Sequence, residues 1–565
     1  MRGNRKSSAM MCALSVLALS SASAAVAQDT QGQADSDADV AAGGGLEDIV
    51  VTAQKRSERL QEVPLAISAF SAASLAAANV ENATDIAKIT PSLSMTQASG
   101  VVVPFLRGIG SSSVGQGIES NTAIYIDGIY YPRLAPLYFQ LNNIERVEVL
   151  KGPQGTLFGR NAVGGVVHII TSDPGPQTKL HAAVGYGNFD TISANFYAGG
   201  ELTEGVGLDL ALLYSHQGNG WGRNVTTGSE FGYSRDFSAR SKLVLQPTDT
   251  TTVKLVGDYA RQRSTIGLPG NGYRGTTQGN LLPPFEEYRP EDIGFYNVRG
   301  DFDGLIGGSS WGISGRVDQE LGFATFVSLT AYREANDIFK FDNDFTPQPA
   351  FVITLPTERS QFSQEFQLVS TPDSPFDWTL GLYHLDLDTR HVDASFSGLA
   401  LGGAQRLVIG RLETTSNAAF GQATFHLGSA TNFTAGLRFT RDNVRNSGRQ
   451  DTVLPDGTFV RGVDVDQGEI FKKLTYKAVL DHRFTRDVMA YASYSRGFRS
   501  GTYRISPVVA GPPARAEVLD AYEIGIKSEL FDRRLRLNGA LFYYDIKDPQ
   551  VSRYPGGGGT VLYIN

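Results

Sequence analysis

The chain has 565 residues, too many for one ordinary core, so it divides into domains or builds one very large one. Its 63 Gly, 31 Phe and 23 Tyr beside 5 Met and a single Cys favour turn-rich β structure. A net charge of -8 argues against a nucleic-acid binder, and a mean hydropathy of -0.16, with no run of about 18 apolar residues past the N-terminus, excludes a helical membrane protein but not a β-barrel.

The chain opens with Arg2, Arg5 and Lys6, then an apolar stretch from Ala9 to Leu19, then Ala25-Val26-Ala27. Basic start, short apolar core and A-x-A site read as a cleaved secretory signal peptide over 1–27. The only cysteine, Cys12, leaves with it, so the exported chain has no thiol nucleophile, thiolate metal site or disulfide. Residues 28–45 are small, acidic and glycine-ended, with nothing to bury, and read as a disordered tether. Directly after it stands Leu46-Glu47-Asp48-Ile49-Val50-Val51-Thr52-Ala53. A β-branched patch on a leash is a free strand edge, and it fits either a domain's first edge strand or a ligand for another protein's sheet.

Gln61 to Phe70 reads as a strand entering past Pro64. Ser71–Ala78 reads as a short helix with Ser71 as N-cap, and Thr84–Ile89 as a second helix stopped by Pro91. Phe105–Gly110 and Ala123–Ile129 are strand-then-turn units, the second with the tight-turn pair Asp127-Gly128. Arg146–Leu150 alternates at period two and breaks at Lys151-Gly152-Pro153-Gln154-Gly155. Gly159, Gly164 and Gly165 precede a second strand, Val166–Ile170. A phosphate-cradling loop is the rival reading of this glycine run. Gly155 to Gly159 is one residue short of a Walker A spacing, and Arg160-Asn161 stands where Lys-Ser/Thr is required.

The stretch ERVEVLKGPQGTLFGRNAVGGVVHIIT, preceded by LRGIG at 106–110 and YIDGI at 125–129, closely resembles the plug domain of TonB-dependent outer-membrane receptors. The resemblance implies a plug over 56–175, and makes 46–55, with Glu47, Asp48, Ile49, Val50, Val51, Thr52 and Ala53, the TonB box. It marks Gly108, Asp127, Gly128, Gly152, Pro153, Gly155, Gly159, Arg160, Asn161, Gly164 and Gly165 as plug motif residues. It implies that Arg107 and Lys151 pair with Glu523 of the barrel and hold the plug in place, since charges at that depth persist only when paired. His168 is expected to be a buried polar residue with a hydrogen-bond partner rather than a metal ligand.

From about 176 to 565 the sequence falls into segments of roughly ten residues with alternating faces. Phe433, Ala435, Leu437 and Phe439 oppose Asn432, Thr434, Gly436 and Arg438; Val206, Leu208, Leu210 and Leu212 oppose Gly207, Asp209 and Ala211; Leu535, Leu537, Leu541 and Tyr543 oppose Arg536 and Asn538. A soluble sandwich would alternate too. The connections discriminate: short turns at 246–249, 371–375 and 531–534 alternate with long loops expected at 264–309, 340–358, 391–413 and 443–465. The fold class expected is a transmembrane β-barrel filled by an α+β plug. About fifteen strands, and the start of another at Val561–Asn565, are legible, against about twenty-two that the resemblance implies. The chain therefore reads as C-terminally truncated, or as a non-functional fragment.

By resemblance, the function expected is TonB-dependent import of a scarce bulky nutrient across the outer membrane, first of all an iron–siderophore complex. Cobalamin, an oligosaccharide or an aromatic oligomer are the alternatives. The partners implied are TonB with ExbB and ExbD, an extracellular ferric siderophore and outer-membrane lipid, with no cofactor and no nucleic acid. A passive porin would lack the segment 46–175. A secreted hydrolase would need a converging catalytic set, and the seven histidines show no HExxH-like spacing.

Overall fold

The computed structural model describes residues 48–553 and 562–564, apart from 79, 81–82, 99–100, 112–117, 133–142, 266–292, 295, 343–346, 373 and 506–509. The expected signal peptide, the tether, Leu46 and Glu47 lie outside the described residues.

The first domain is built on a five-stranded sheet, in the order Ile67–Ser71, Ile144–Lys151, Gly165–Thr171, Thr122–Ile126, Ile129–Tyr131. Thr122–Ile126 and Gly165–Thr171 run parallel, and every other pair is antiparallel. The expected strand at 61–70 shrinks to Ile67–Ser71, because Pro64 and the turn before it supply no ladder partner. The helix Ala72–Ala77 is capped by the Ser71 hydroxyl, which accepts from the Ser74 N–H at 3.4 Å. A single 3-10 turn, Ala83–Asp85, runs into the helix Ile86–Ile89 ahead of Pro91. Leu75 and Ile86 from these helices meet Leu106, Ile124, Val147, Val149, Val167 and Ile169 in one apolar core. Each such fully buried side chain contributes about 1.5–3 kcal/mol.

The second domain is a sixteen-stranded antiparallel sheet running from Lys179–Gly187 to Leu535–Lys547. Fifteen strands follow one another in chain order, and the short Phe459–Val460 pairs only with Thr431–Val453. Val551–Arg553 and Leu562–Ile564 form a separate hairpin. The two end strands of the path each pair on one side only among the described residues, and both are exposed along most of their length.

The wall faces agree with the alternation. Leu437 and Phe439 point outward and are about half exposed, while Thr434, Arg438, Thr440 and Asp442 are buried on the inner face. Tilted strands crossing an apolar band about 25 Å tall need roughly ten residues. These strands are longer: Asp377–Ser397, Gln405–His426, Thr431–Val453 and Val465–Thr485 run for 21, 22, 23 and 21 residues. The loops expected at 340–358, 391–413 and 443–465 are correspondingly shorter, because the ladders continue past the apolar band to 342, 397 and 453. The short turns lie at one end and the long connections at the other. Among the described residues no helix is long and apolar enough to cross a membrane; crossing falls to the strands.

Candidate functional site: the seam between plug and wall

The plug meets the barrel wall through polar contacts and through apolar ones, at Leu329 and Ala331, at Leu385 and Phe420, and at Leu519 and Ala521. Arg107, at φ +53 in the turn with Gly108, donates to Glu523 at 2.5 Å and to the Tyr544 hydroxyl at 3.0 Å, with its guanidinium 4.1 Å from the Phe542 ring centre. Tyr491 donates to the other Glu523 oxygen at 2.6 Å. Both charged side chains are nearly closed to solvent. A buried pair is tolerated when its remaining lone pairs and N–H groups are also satisfied; Tyr491 serves the carboxylate and Tyr544 the guanidinium. Lys151 departs from the expectation: its ammonium makes no ion pair among the described residues. Burial, and behind it the Arg107 charge, pull its pKa below the ordinary lysine range, with Glu523 offsetting only part. Its backbone N–H instead donates to Ala66.

Asp127, at φ +48 in the tight turn with Gly128, accepts from the Thr171 N–H and hydroxyl at 2.9 and 2.8 Å and from Arg240 of the wall. Burial alone would raise its carboxyl, but Arg240, Lys242 and Thr171 hold it below the usual range.

The glycine crossing explains itself by proximity. A Cβ on Gly159 (φ +82) would lie 2.6 Å from the Arg438 guanidinium, and one on Gly155 would lie 2.7 Å from the Arg496 carbonyl oxygen. Gly152 and Pro153 open the crossing, Pro153 facing Gly497 of the wall, and Gly164 and Gly165 close it against Ile109 and Leu150. Arg160 donates to Glu119 and lies 3.9 Å from Asp442 of the wall. Asn161 donates to Glu119 at 2.7 Å and to Tyr130 at 3.0 Å.

The N-terminal segment is docked rather than free. Val50–Val51 pairs antiparallel with Glu58–Arg59, and the Ile49 carbonyl accepts from Leu60 at 2.8 Å. Val51 and Ala53 are buried, while Val50 and Asp48 stay exposed. Thr52 donates to Glu148 through its N–H at 2.8 Å and its hydroxyl at 3.1 Å. Arg146 donates to the same Glu148 oxygen at 2.9 Å. Burial pushes the Glu148 carboxyl up, but the His168 ring, the Thr52 N–H and Arg146 outweigh it and hold the pKa below the usual carboxylate range. The wall takes the rest: Lys55 pairs with Glu365 at 3.0 Å, Arg56 with Asp377 at 2.9 Å, and Asp48 with Arg533. His168 is buried as expected and edge-on to Tyr125 and Phe158, yet neither ring nitrogen has a hydrogen bond; Nδ1 is 3.8 Å from Glu148. Among the described residues no three His, Cys, Asp or Glu side chains converge as a metal set would.

Sequence reasoning missed Glu148, Glu119, Lys55, Arg56 and their wall partners. In Glu145–Leu150 charge and apolar residues alternate, and that pattern does not say that the face with Arg146 and Glu148 is covered as well as the face with Val147 and Val149.

With this geometry in view, the family follows. The TonB-dependent receptor plug domain matches residues 59–166, and the TonB-dependent receptor-like β-barrel matches 154–565. The chain belongs to the TonB-dependent receptors of the outer membrane. It is 23% identical to the pesticin receptor of Yersinia enterocolitica over 528 residues, covering 90% of this chain and 72% of that one. It is 31% identical to the vitamin B12 transporter BtuB of Vibrio vulnificus over 199 residues, covering 33% of this chain and 30% of that one. Among solved structures, the ferric yersiniabactin uptake receptor FyuA from Yersinia pestis shares the fold at a TM-score of 0.73 and 20% identity, covering 86% of this chain and 73% of that one. The closed form of the ferric-catecholate import receptor Fiu from E. coli K12 does so at 0.66 and 16%, covering 90% and 76%.

Proposed function

We propose that the protein imports an iron–siderophore complex across the outer membrane, with TonB and its ExbB and ExbD partners supplying the energy. The observation that carries this reading is the docked N-terminal strand. Val50–Val51 is a short edge strand held by hydrogen bonds, ion pairs and the burial of Val51 and Ala53, and its exposed edge at Val50 is free to pair with another sheet. Residues 46–55 then act as the TonB box, 56–175 as the plug and 176–565 as the barrel, after removal of a signal peptide over 1–27. Arg107 and Glu523 lock the plug in place, and Lys151 adds to the lock only through its field.

Siderophore cargo is supported by the likeness to the ferric yersiniabactin receptor FyuA and the ferric-catecholate receptor Fiu, each overlapping most of the chain. Cobalamin is the second reading, favoured by the BtuB likeness over a third of the chain. The test is uptake of radio-iron siderophores and labelled cobalamin by cells expressing the receptor with and without residues 46–53. Loss of iron uptake in the deletion supports the proposal. Uptake that survives the deletion rejects energy coupling through this segment, and deletion-sensitive uptake of cobalamin alone selects the second reading.

A further inference from the structure

Along one arc the plug is closed against the wall by Leu329, Ala331, Leu385 and Phe420. The arc made by the strands Thr431–Val453, Val465–Thr485, Val488–Arg499 and Glu517–Leu530 is built differently. At one height its inner face reads Gly436, Lys477, Ser495 and Ala521 in register, small side chains around one long cation. Ser493 and Ser495 on this face are only half-buried, so the plug does not seal against them.

Lys477 is 7% exposed and, among the described residues, has no hydrogen bond, no ion pair and no ring partner. Other buried cations of the inner wall are provided for: Lys242 by Asp173, Arg333 by Asp258, Arg438 by the rings of Tyr383 and Phe420, and Lys527 by the Leu60 carbonyl at 2.6 Å. Nor do the neighbours of Lys477 balance its charge. Arg107, Lys151, Lys477 and Lys527 share the field of two carboxylates, Glu523 and Glu58. Glu523 is committed to Arg107 and Tyr491, and Glu58 to the Gln54 amide at 3.1 Å. Arg56 and Arg536, at the margins of the group, have Asp377 and Glu529. The arc therefore holds more cations than anions. A buried charge without a partner is costly, and a fold keeps one where a bound group supplies the missing partner.

The placement of the lysines says what that group does. Thr475, the next inner-face residue toward the long connections, donates to the Gly155 carbonyl at 2.9 Å, so Lys477 lies at the level of the plug's glycine crossing. Lys527 lies nearer the short turns, beside the N-terminal hairpin. The two stand at successive depths, on the side where small wall residues leave width. Cations in series serve an anion that moves, and lysine suits the task because it holds an anion as a mobile point charge rather than in a fork.

We propose, resting on the import reading above, that this arc is the lane by which cargo passes the plug, and that the cargo is an anionic ferric chelate. Its ionised catecholate or carboxylate oxygens meet Lys477 first and Lys527 after it. The lysines select the charge class that passes and take no part in capture at the cell surface.

The test is radio-iron uptake by cells whose only siderophore receptor is this one, offered a triply negative ferric tris-catecholate or an uncharged ferric tris-hydroxamate. Lys477→Met removes a charge without breaking a contact, so the variant should reach the outer membrane at the wild-type level. On de-energised cells it should bind the catecholate as the wild type does. Its energised uptake of the catecholate should fall at least roughly tenfold, and Lys477→Arg should keep most of that uptake. Catecholate uptake by Lys477→Met at the wild-type rate overturns the lane and leaves siderophore import standing. So does a loss of surface binding as large as the loss of uptake, which marks a structural role, and so does wild-type import of the hydroxamate alone. Wild-type import of neither chelate rejects the import reading itself, and the lane falls with it.

Discussion

The plug has an apolar interior and a rim of mixed character. Its interior is an ordinary apolar core, with Leu106, Val147, Val149, Val167 and Ile169 closed to solvent. Its rim meets the wall through the ion pairs Arg107–Glu523, Asp127–Arg240, Lys55–Glu365 and Arg56–Asp377, interleaved with apolar contacts such as Ile109 and Val163 on Leu519 and Ala521. Apolar burial is lost outright when a contact opens, whereas a polar contact can be exchanged for water. The contrast teaches that the ion pairs of the rim can be exchanged for water while the plug's core stays folded, whereas the apolar contacts with the wall are lost when the plug changes its seat.

Breaking the interior should have the largest effect. Leu106→Ala removes a fully buried side chain, and a loss of about 2–5 kcal/mol is expected. Limited proteolysis of the purified receptor should then cut within 56–175 while the barrel resists. Next comes the lock. Arg107→Ala leaves Glu523 buried without its cation, at a local cost of about 3–5 kcal/mol. Cells should become sensitive to bulky hydrophilic antibiotics, with Glu523→Gln in the same chain recovering part of the barrier. Unchanged leak at normal expression would count against the lock. Lys151→Gln should leak less than Arg107→Ala, since no ion pair is broken.

The N-terminal grip should give a smaller effect. Glu148→Gln weakens both Thr52 contacts, a loss of about 1–3 kcal/mol, and a thiol probe at Val50→Cys should react faster without any cargo. The sign with pH follows from the depressed Glu148 pKa. Its contribution is complete above the unfolded carboxylate value and fades only as pH falls through the lower folded one. Docking should therefore survive the ordinary carboxylate range and loosen below it, which the same probe can follow with a pH-tolerant reagent. Asp48→Asn touches only half-exposed pairs with Arg59 and Arg533, so the Val50→Cys rate should change by less than about fivefold.

Much of the fold was legible because its signals are local. Asp127-Gly128 marks a turn wherever it stands, and the Phe433–Phe439 alternation needs one wet face and one apolar face. Strand length was not legible, because that contrast ends at Phe439. Beyond it Arg441, Asn443 and Arg445 face outward, while Asp442 and Asn446 are buried inside. The ladder continues with polar residues on both faces and the periodicity disappears. The Arg107–Glu523 ion pair was legible in type but not in reach. Arg107 and Lys151 carry the same charge, and nothing in their spacing says which of them extends to Glu523. Glu148 stayed hidden for a third reason: its burial depends on a segment nearly a hundred residues upstream folding back over it.

The central claim is that the edge strand at Val50–Val51 is held until cargo binds and is then handed to TonB. It is tested most directly by cross-linking a Val50→Cys receptor to the periplasmic domain of TonB in cells, with and without a ferric siderophore that the cells import. The account predicts a weak cross-link that rises several-fold with siderophore and is already high in Glu148→Gln. A cross-link that never forms, or one equally strong with and without cargo in the otherwise wild-type chain, would contradict it.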